Sequence, residues 1–289
     1  MSTANIDRRK AILFLIVAAV LWSTSGILVK VLPWSPIGVL AGRSIFSSLV
    51  FLLYLRRFPF RPTRWQLFAA GSYILTQFFY ISSIRLTTAA NAIFLQYTAP
   101  IYIIFLAYWL LREKPSRADW VSMAIIFAGF GLFFGDKLSL DGFYGNLMAV
   151  LSGISLALMT VALRAQKDGS PAESFLLANV VTATLGFYFV WQEPWTPVNW
   201  IGIAYLGFFQ IGLSFLLYAI AIRVIPALET TLIGTLEPVL NPIWVFLFIS
   251  EVPGPLAMTG GLVVLLGVFV SAITSAREKV EKGGQGIPA

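Results

Sequence analysis

"YISSIRLTTAANAIFLQYTAPIYIIFLAYWLLREKP" (80–115) and "YAIAIRVIPALETTLIGTLEPVLNPIWVFLFISEVP" (218–253) lie 138 residues apart and align without a gap. Tyr80 falls on Tyr218, Arg85 on Arg223, Pro100 on Pro238, Glu113 on Glu251 and Pro115 on Pro253; further on, Gly129 meets Gly267. Chance matches between apolar segments are mostly Leu, Ile and Val. These are mainly charged, aromatic, Pro and Gly residues, so the chain carries an internal duplication. A weaker echo joins "AVLWSTS" (19–25) to "AVLSGIS" (149–155).

Working outward, the whole chain is built of such segments. Of 289 residues, 58% are hydrophobic and only 11% charged, against the roughly 25% charged of a soluble domain. About 20 apolar residues cross a bilayer as a helix. Short polar or Pro/Gly breaks divide the chain into ten such stretches, near 11–32, 36–55, 65–85, 88–111, 117–135, 142–164, 172–191, 198–222, 226–250 and 254–276. The N-terminus has the charged start of a signal peptide, but its apolar run is too long for one, so it reads as a retained first helix. The expected fold is all-α and integral to the membrane: a tail at 1–10, five helices in 11–138, five more in 139–276 and a tail at 277–289. An odd number of spans per repeat turns the second copy upside down. Inverted repeats are typical of secondary transporters, whose substrate site lies near the midplane between the halves.

A net charge of +7 raises the question of nucleic acid. Its distribution answers it. With the N-terminus inside, Arg8, Arg9, Lys10, Arg56, Arg57, Arg61, Arg64, Arg112, Lys114, Arg117, Arg164, Lys167, Arg223, Arg277, Lys279 and Lys282 all fall on the cytoplasmic side, 16 of the 20 basic residues. Lys30, Arg85 and Lys137 fall outside, and Arg43 lies within the second helix. This is the positive-inside signature of an inner-membrane protein with both termini cytoplasmic; the expected partners are the bilayer and a small molecule, with no nucleic acid and no cofactor. The absence of Cys and His excludes disulfides, Cys/His metal sites and thiol or imidazole nucleophiles. No nucleophile–base pair appears, so no enzyme is expected.

Two prolines stand near the middle of predicted spans. A mid-helix Pro lacks an N–H and frees the carbonyl four residues earlier, so Pro100 releases Gln96 and Pro238 releases Gly234. Such carbonyls are tolerated at membrane depth only in a protein or water-filled interior. The prolines are therefore expected as hinges on a cavity, packing kinks being the plainer alternative. Glu237 is the sharper case, because an ionised carboxylate at the bilayer centre costs roughly 2.5 to 3.5 kcal/mol on insertion scales. It reads as a group that binds a proton or an ammonium, or else as a structural acid bonded to another helix, with Arg43 a candidate partner. Thr230, Gly234, Glu237 and Asn241 share one helix face.

Two polar stripes at spacing four also correspond: Ser72, Thr76 and Tyr80, with Gln77 beside Thr76, and Gln210, Ser214 and Tyr218. Such stripes line cavities or glue helices together. Gln96 and Tyr97 adjoin the Pro100 hinge. Trp65, Trp109, Trp120, Trp34, Trp191, Trp195 and Trp200 fit interfacial belts, whereas Trp22 and Trp244 do not. Trp22 with Ser25 one turn on, and Ser155 with Met159, complete the candidate cavity wall, Met suiting a pocket that takes varied side chains.

Ten spans, "LWSTSG" in helix one and a doubled element running from a mid-span Pro to "REKP" or "SEVP" resemble the drug/metabolite transporter superfamily, specifically its EamA-type members, over nearly the whole chain. Within these it looks most like the YddG-type amino-acid exporters. The resemblance implies a basket of ten helices, a central cavity lined by the first four helices of each half, and export of small metabolites, amino acids including aromatic ones. One departure stands out: the second half has "TLEP" where the first has "YTAP", so the carboxylate occurs on one side only. The expected function is amino-acid export by alternating access. Alternatives are a phosphate, nucleotide-sugar or drug exchanger, for which only Arg43 and Lys30 offer cations within the spans, and a non-transporting scaffold or pore subunit. Oligomeric state, direction and coupling ion are not legible.

Overall fold

Prolines and hydroxyl side chains set where the helices begin. In the computed structural model, which describes residues 6–24, 32–58, 61–87, 89–134, 142–240, 244 and 255–284, α1 spans Arg8–Ser23. The hydroxyl of Ser35 then accepts the Gly38 amide at the head of α2 (Pro36–Leu55). Thr63 and Gln66 form a reciprocal capping box at α3 (Arg64–Leu86), which satisfies two otherwise orphan amides. Next come α4 (Ala89–Gln96), α5 (Ala99–Leu106) and a π-helical turn, Ala107–Leu111. The chain continues through α6 (Arg117–Phe134), α7 (Phe143–Arg164) and α8 (Pro171–Gln192). α9 (Pro197–Tyr205) passes through a π-helical stretch, Leu206–Leu213, into α10 (Ser214–Ala221). α11 (Ala227–Gly234) and the long α12 (Pro255–Gly284) follow. The first predicted span, 11–32, ends on Leu32, which is not helical.

Six of these stretches are long and apolar enough to cross a membrane: Pro36–Leu55, Arg64–Ile84, Ala92–Leu111, Phe143–Arg164, Pro171–Gln192 and Pro197–Ala221. Their outward faces are greasy, with Leu53, Phe105, Trp109 and Leu185 exposed. Their inward faces carry polar groups, as α2 does with buried Arg43, Ser44, Ser47 and Ser48. That is the arrangement expected when lipid, not water, is the outer solvent.

The two prolines do more than kink their helices. α4 ends at Gln96, Tyr97 and Thr98 form a turn, and α5 restarts with Pro100 in its first turn, where a missing N–H forfeits no helical bond. The second half repeats this: α11 stops at Gly234, Thr235 turns, and residues 236–240 are helical again. Each break has a threonine whose hydroxyl donates to the carbonyl three residues back, Thr98 to Leu95 and Thr235 to Leu232, both at 2.6 Å.

Helices pack in pairs that answer one another. α3 runs antiparallel to α7, with Trp65 beside Gln166, Thr76 beside Ser152 and Leu86 beside Gly145. Its counterpart is α10 on α1, where Trp22 meets Phe215 and Tyr218. α2 runs antiparallel to α8, Phe51 stacking on Phe175 and Ala41 on Gly186. α6 and α12 close the set with a reciprocal contact: Gly129 lies against Gly260 and Val264, and Gly267 against Ser122 and Ile126. Positions 122 and 126 precede 260 and 264 by 138, the same offset that separates the two glycines. A contact that maps onto itself when partners are exchanged is the mark of a two-fold axis, and small residues at such crossings let the helices close up.

Candidate functional site

The two helix breaks meet. Tyr97, at the first break, donates its phenolic proton to Glu237 Oε2 at 2.7 Å, with the Gly234 carbonyl at 3.3 Å as the longer arm of a shared bond. Gly234 O, at the end of α11, can receive no N–H from Pro238, so one hydroxyl serves both the acid and that carbonyl. On α3, Tyr80 sits within electrostatic range of both Glu237 and Arg43. Arg43 is 6% exposed and feels Tyr73 as well as Tyr80. Among the described residues neither the Arg43 guanidinium nor the Tyr80 hydroxyl has a hydrogen-bond or ion-pair partner. The direct Arg43–Glu237 pair considered from sequence does not form; the carboxylate accepts from Tyr97 instead. The result is a buried cation and a half-buried acid that are not paired with each other, with a tyrosine hydroxyl in the field of both.

Trp22 borders this centre. Its ring packs against Phe215 and Tyr218 at centroid distances of 4.9 and 5.7 Å, and a Cβ placed on Gly234 would meet its far edge at 3.9 Å. Its indole N–H is buried with no acceptor among the described residues. Leaving a donor unmet costs about 1 to 3 kcal/mol, so this group is a ready contact for a solute. Ser155 is buried on α7, and Pro100 and Pro238 are buried at their breaks.

Other predicted residues turn their polar groups to helix packing. Gln96 Nε2 donates to Ser152 Oγ at 2.8 Å, and Ser152 donates on to the Thr76 carbonyl at 3.0 Å. The hydroxyls of Thr76 and Ser214 are spent on the carbonyls of Ser72 and Gln210 in their own helices. Gln77 donates to the Tyr73 hydroxyl at 3.1 Å, and Tyr218 shares a 2.8 Å bond with Thr160. Met159 is core, 1% exposed. Ser25 and Asn241 lie outside the described residues. Trp34 is no belt residue: it is buried edge-on against Trp200 over Gly42, its indole N–H reaching the Pro194 carbonyl. Trp244 donates to Ser23 Oγ at 2.8 Å.

Sequence reasoning missed Gly153 and Ser152. A Cβ on Gly153 would stand 2.8 Å from the Gln96 carbonyl that Pro100 frees, so that carbonyl is covered by α7. The weak echo held the signal, since it aligns Ser152 with Trp22. The two breaks thus differ: one is closed by a Gln–Ser bond, the other is flanked by an indole with an unmet N–H. An apolar depression of about 560 Å³ between Ile104, Phe105, Tyr108, Trp109 and Pro115 lies on the outward face, away from these groups; its lining suits acyl chains.

This doubled, broken-helix architecture has relatives. The chain matches the EamA-like transporter family twice, over residues 9–135 and 143–273, and belongs to that family. It is 24% identical over 284 residues to the uncharacterized transporter YwfM of Bacillus subtilis, covering 92% of this chain and 95% of that protein. It is 25% identical over 259 residues to an uncharacterized transporter of Archaeoglobus fulgidus, covering 89% and 94%. A protein of known crystal structure superposes with a TM-score of 0.80 at 21% identity, over 94% of this chain and all of the other, which establishes the shared fold. The protein is a multi-pass membrane transporter, and its relatives are named transporters, not enzymes.

Proposed function

We propose that the protein is a secondary transporter that exports small zwitterionic metabolites, chiefly amino acids including aromatic and other apolar ones, by alternating access. Ten spans form two inverted five-helix repeats in the cell's inner membrane, both termini cytoplasmic. The double family match, the reciprocal packing of α6 with α12 and the basic bias of one set of helix ends support that reading. The single observation that carries the substrate class is the separation of buried Arg43 from half-buried Glu237, with Tyr80 in the field of both. A zwitterion supplies what each lacks: a carboxylate for the guanidinium and an ammonium for the acid. Trp22, Phe215 and Tyr218 offer an aromatic wall to an apolar side chain. A phosphorylated solute would call for several cations around it, and Arg43 is the one buried cation that the described part of the site holds.

Efflux from proteoliposomes loaded with labelled amino acids, phosphorylated sugars or cationic drugs, with and without a pH gradient, tests this. Apolar and aromatic amino acids are expected to leave faster than from protein-free vesicles, and the other two classes are not. Flux of phosphorylated sugars without amino-acid flux would reverse the assignment.

A further inference from the structure

The ion pairs among the described residues are three: Arg8–Glu229 at 2.5 Å, Arg57–Glu173 at 2.8 Å and Arg164–Glu113 at 2.6 Å. Each joins a residue before 138 to a residue after it. All lie at one end of the bundle, because Arg8 begins α1, Arg57 follows α2, Glu113 follows the helix of α5, Arg164 ends α7, and Glu173 and Glu229 lie in the first turns of α8 and α11. They are well supported. Glu229 is 1% exposed and Arg8 grips both its oxygens. Gln66 donates to Glu173, the Ala227 amide donates to Glu113, and Arg164 also donates to the carbonyls of Ile222 and Arg223.

At the opposite end, the hydrogen bonds seen between the two sequence halves among the described residues include Ser35 to Glu193, Thr87 to Asn146 and Tyr205 to Thr24, none of them an ion pair. The duplication explains the difference. With the offsets of 130 for the first helix of each half, 135 for the second, where Ser35–Pro36 matches Ser170–Pro171, and 138 beyond, the charged pairs correspond to Leu138 and Asn91, Gln192 and Gly38, and Trp34 and Glu251. None is a pair of opposite charges.

We propose that the three ion pairs are a clasp that holds the basic end of the transporter shut, so that the resting protein is closed there and the opposite end is the one that opens more readily. This rests on the transporter reading above and adds an asymmetry to it. In an alternating-access protein the two gates are the same structure used twice; among the described residues one gate is held by three ion pairs and the other by none. Binding of solute at the Arg43–Glu237 centre must then repay the opening of the clasp before loading from the basic end. A ligand shifts such an equilibrium only by its differential affinity for the two states.

Double electron–electron resonance on the full-length protein in lipid tests it, and the absence of native cysteine makes the labels unambiguous. One pair of spin labels at Lys10→Cys and Asp168→Cys reports the basic end; a second at Ile37→Cys and Tyr144→Cys reports the other. Glu113→Gln, Glu173→Gln and Glu229→Gln together keep one acceptor oxygen at each position and remove the negative charges. The expected result is a longer-distance population at the basic end that rises about tenfold relative to the parent, the ratio commanded by 1.4 kcal/mol, with a matching contraction at the other end. Restoring one pair in reversed polarity, Arg8→Glu with Glu229→Arg, is expected to return part of the short distance. Unchanged distances in a triple variant that melts like the parent would overturn the clasp, as would a longer distance that reversed polarity fails to shorten. Neither outcome depends on the substrate, so failure of the amino-acid assignment leaves this test intact, and amino-acid flux with unmoved distances rejects the clasp alone.

Discussion

Arg43→Met is expected to lower amino-acid efflux by roughly 10- to 100-fold, the factor that follows from losing a hydrogen bond to a charged group worth about 1.5 to 3 kcal/mol. Methionine keeps the length and the apolar stem of the side chain, so packing against α9 and its π-helical continuation, where Gly207 abuts the Arg43 carbonyl, is preserved. The diagnostic readout is selectivity. The parent is expected to prefer an amino acid over its amide, because only the acid presents a carboxylate to the guanidinium, and the variant to move the two alike. A structural role would lower both equally and leave the ratio untouched.

Glu237→Gln is expected to act on the other end of the solute. Glutamine still accepts the Tyr97 hydroxyl, so the bridge between the helix breaks survives. What is lost is the negative charge. Transport of a free amino acid is expected to fall roughly 10- to 100-fold relative to its N-acetyl derivative. Any dependence of flux on a pH gradient is expected to vanish while downhill exchange persists, since the group that would carry the proton is gone. A pH profile identical to that of the parent rejects Glu237 as the proton carrier, and an unchanged preference for the free amine rejects it as the ammonium site. Comparison of initial rates at several pH values, inside and outside, separates the two roles.

Much of the architecture was written in the order of residues. The repeat shows because Tyr, Arg, Glu, Pro and Gly recur at one offset in an apolar background, and Pro100 and Pro238 mark both helix breaks. The pairing of Glu237 with a tyrosine was half legible: burial of an acid demands a partner, but nothing in the one-dimensional pattern preferred Tyr97 to Arg43. The fate of hydroxyls was hidden. Thr76 and Ser214 bond within their own helices while Ser152 crosses to Gln96 and Thr76, a choice set by how closely neighbouring helices approach, here by Gly153. The π-helical stretch Leu206–Leu213 also left no compositional trace. An extra residue in a helical turn, often found at functional sites, is a matter of geometry. It has no equivalent in the regular α3. Trp34 misled because a tryptophan near a span end reads as a belt until a neighbour such as Trp200 buries it.

The claim on which all of this stands is that water reaches Tyr80, between Arg43 and Glu237, in the middle of the bilayer. With no native cysteine to interfere, Tyr80→Cys can be probed by a membrane-impermeant thiol reagent in right-side-out and inside-out vesicles, beside Leu185→Cys on the outward apolar surface, where the native side chain is 76% exposed. Position 80 is expected to react, and to be shielded by a transported amino acid, while position 185 stays inert from both sides. If position 80 is as inert as position 185 from either face, no aqueous chamber lies between the halves, and the transport mechanism described here is wrong.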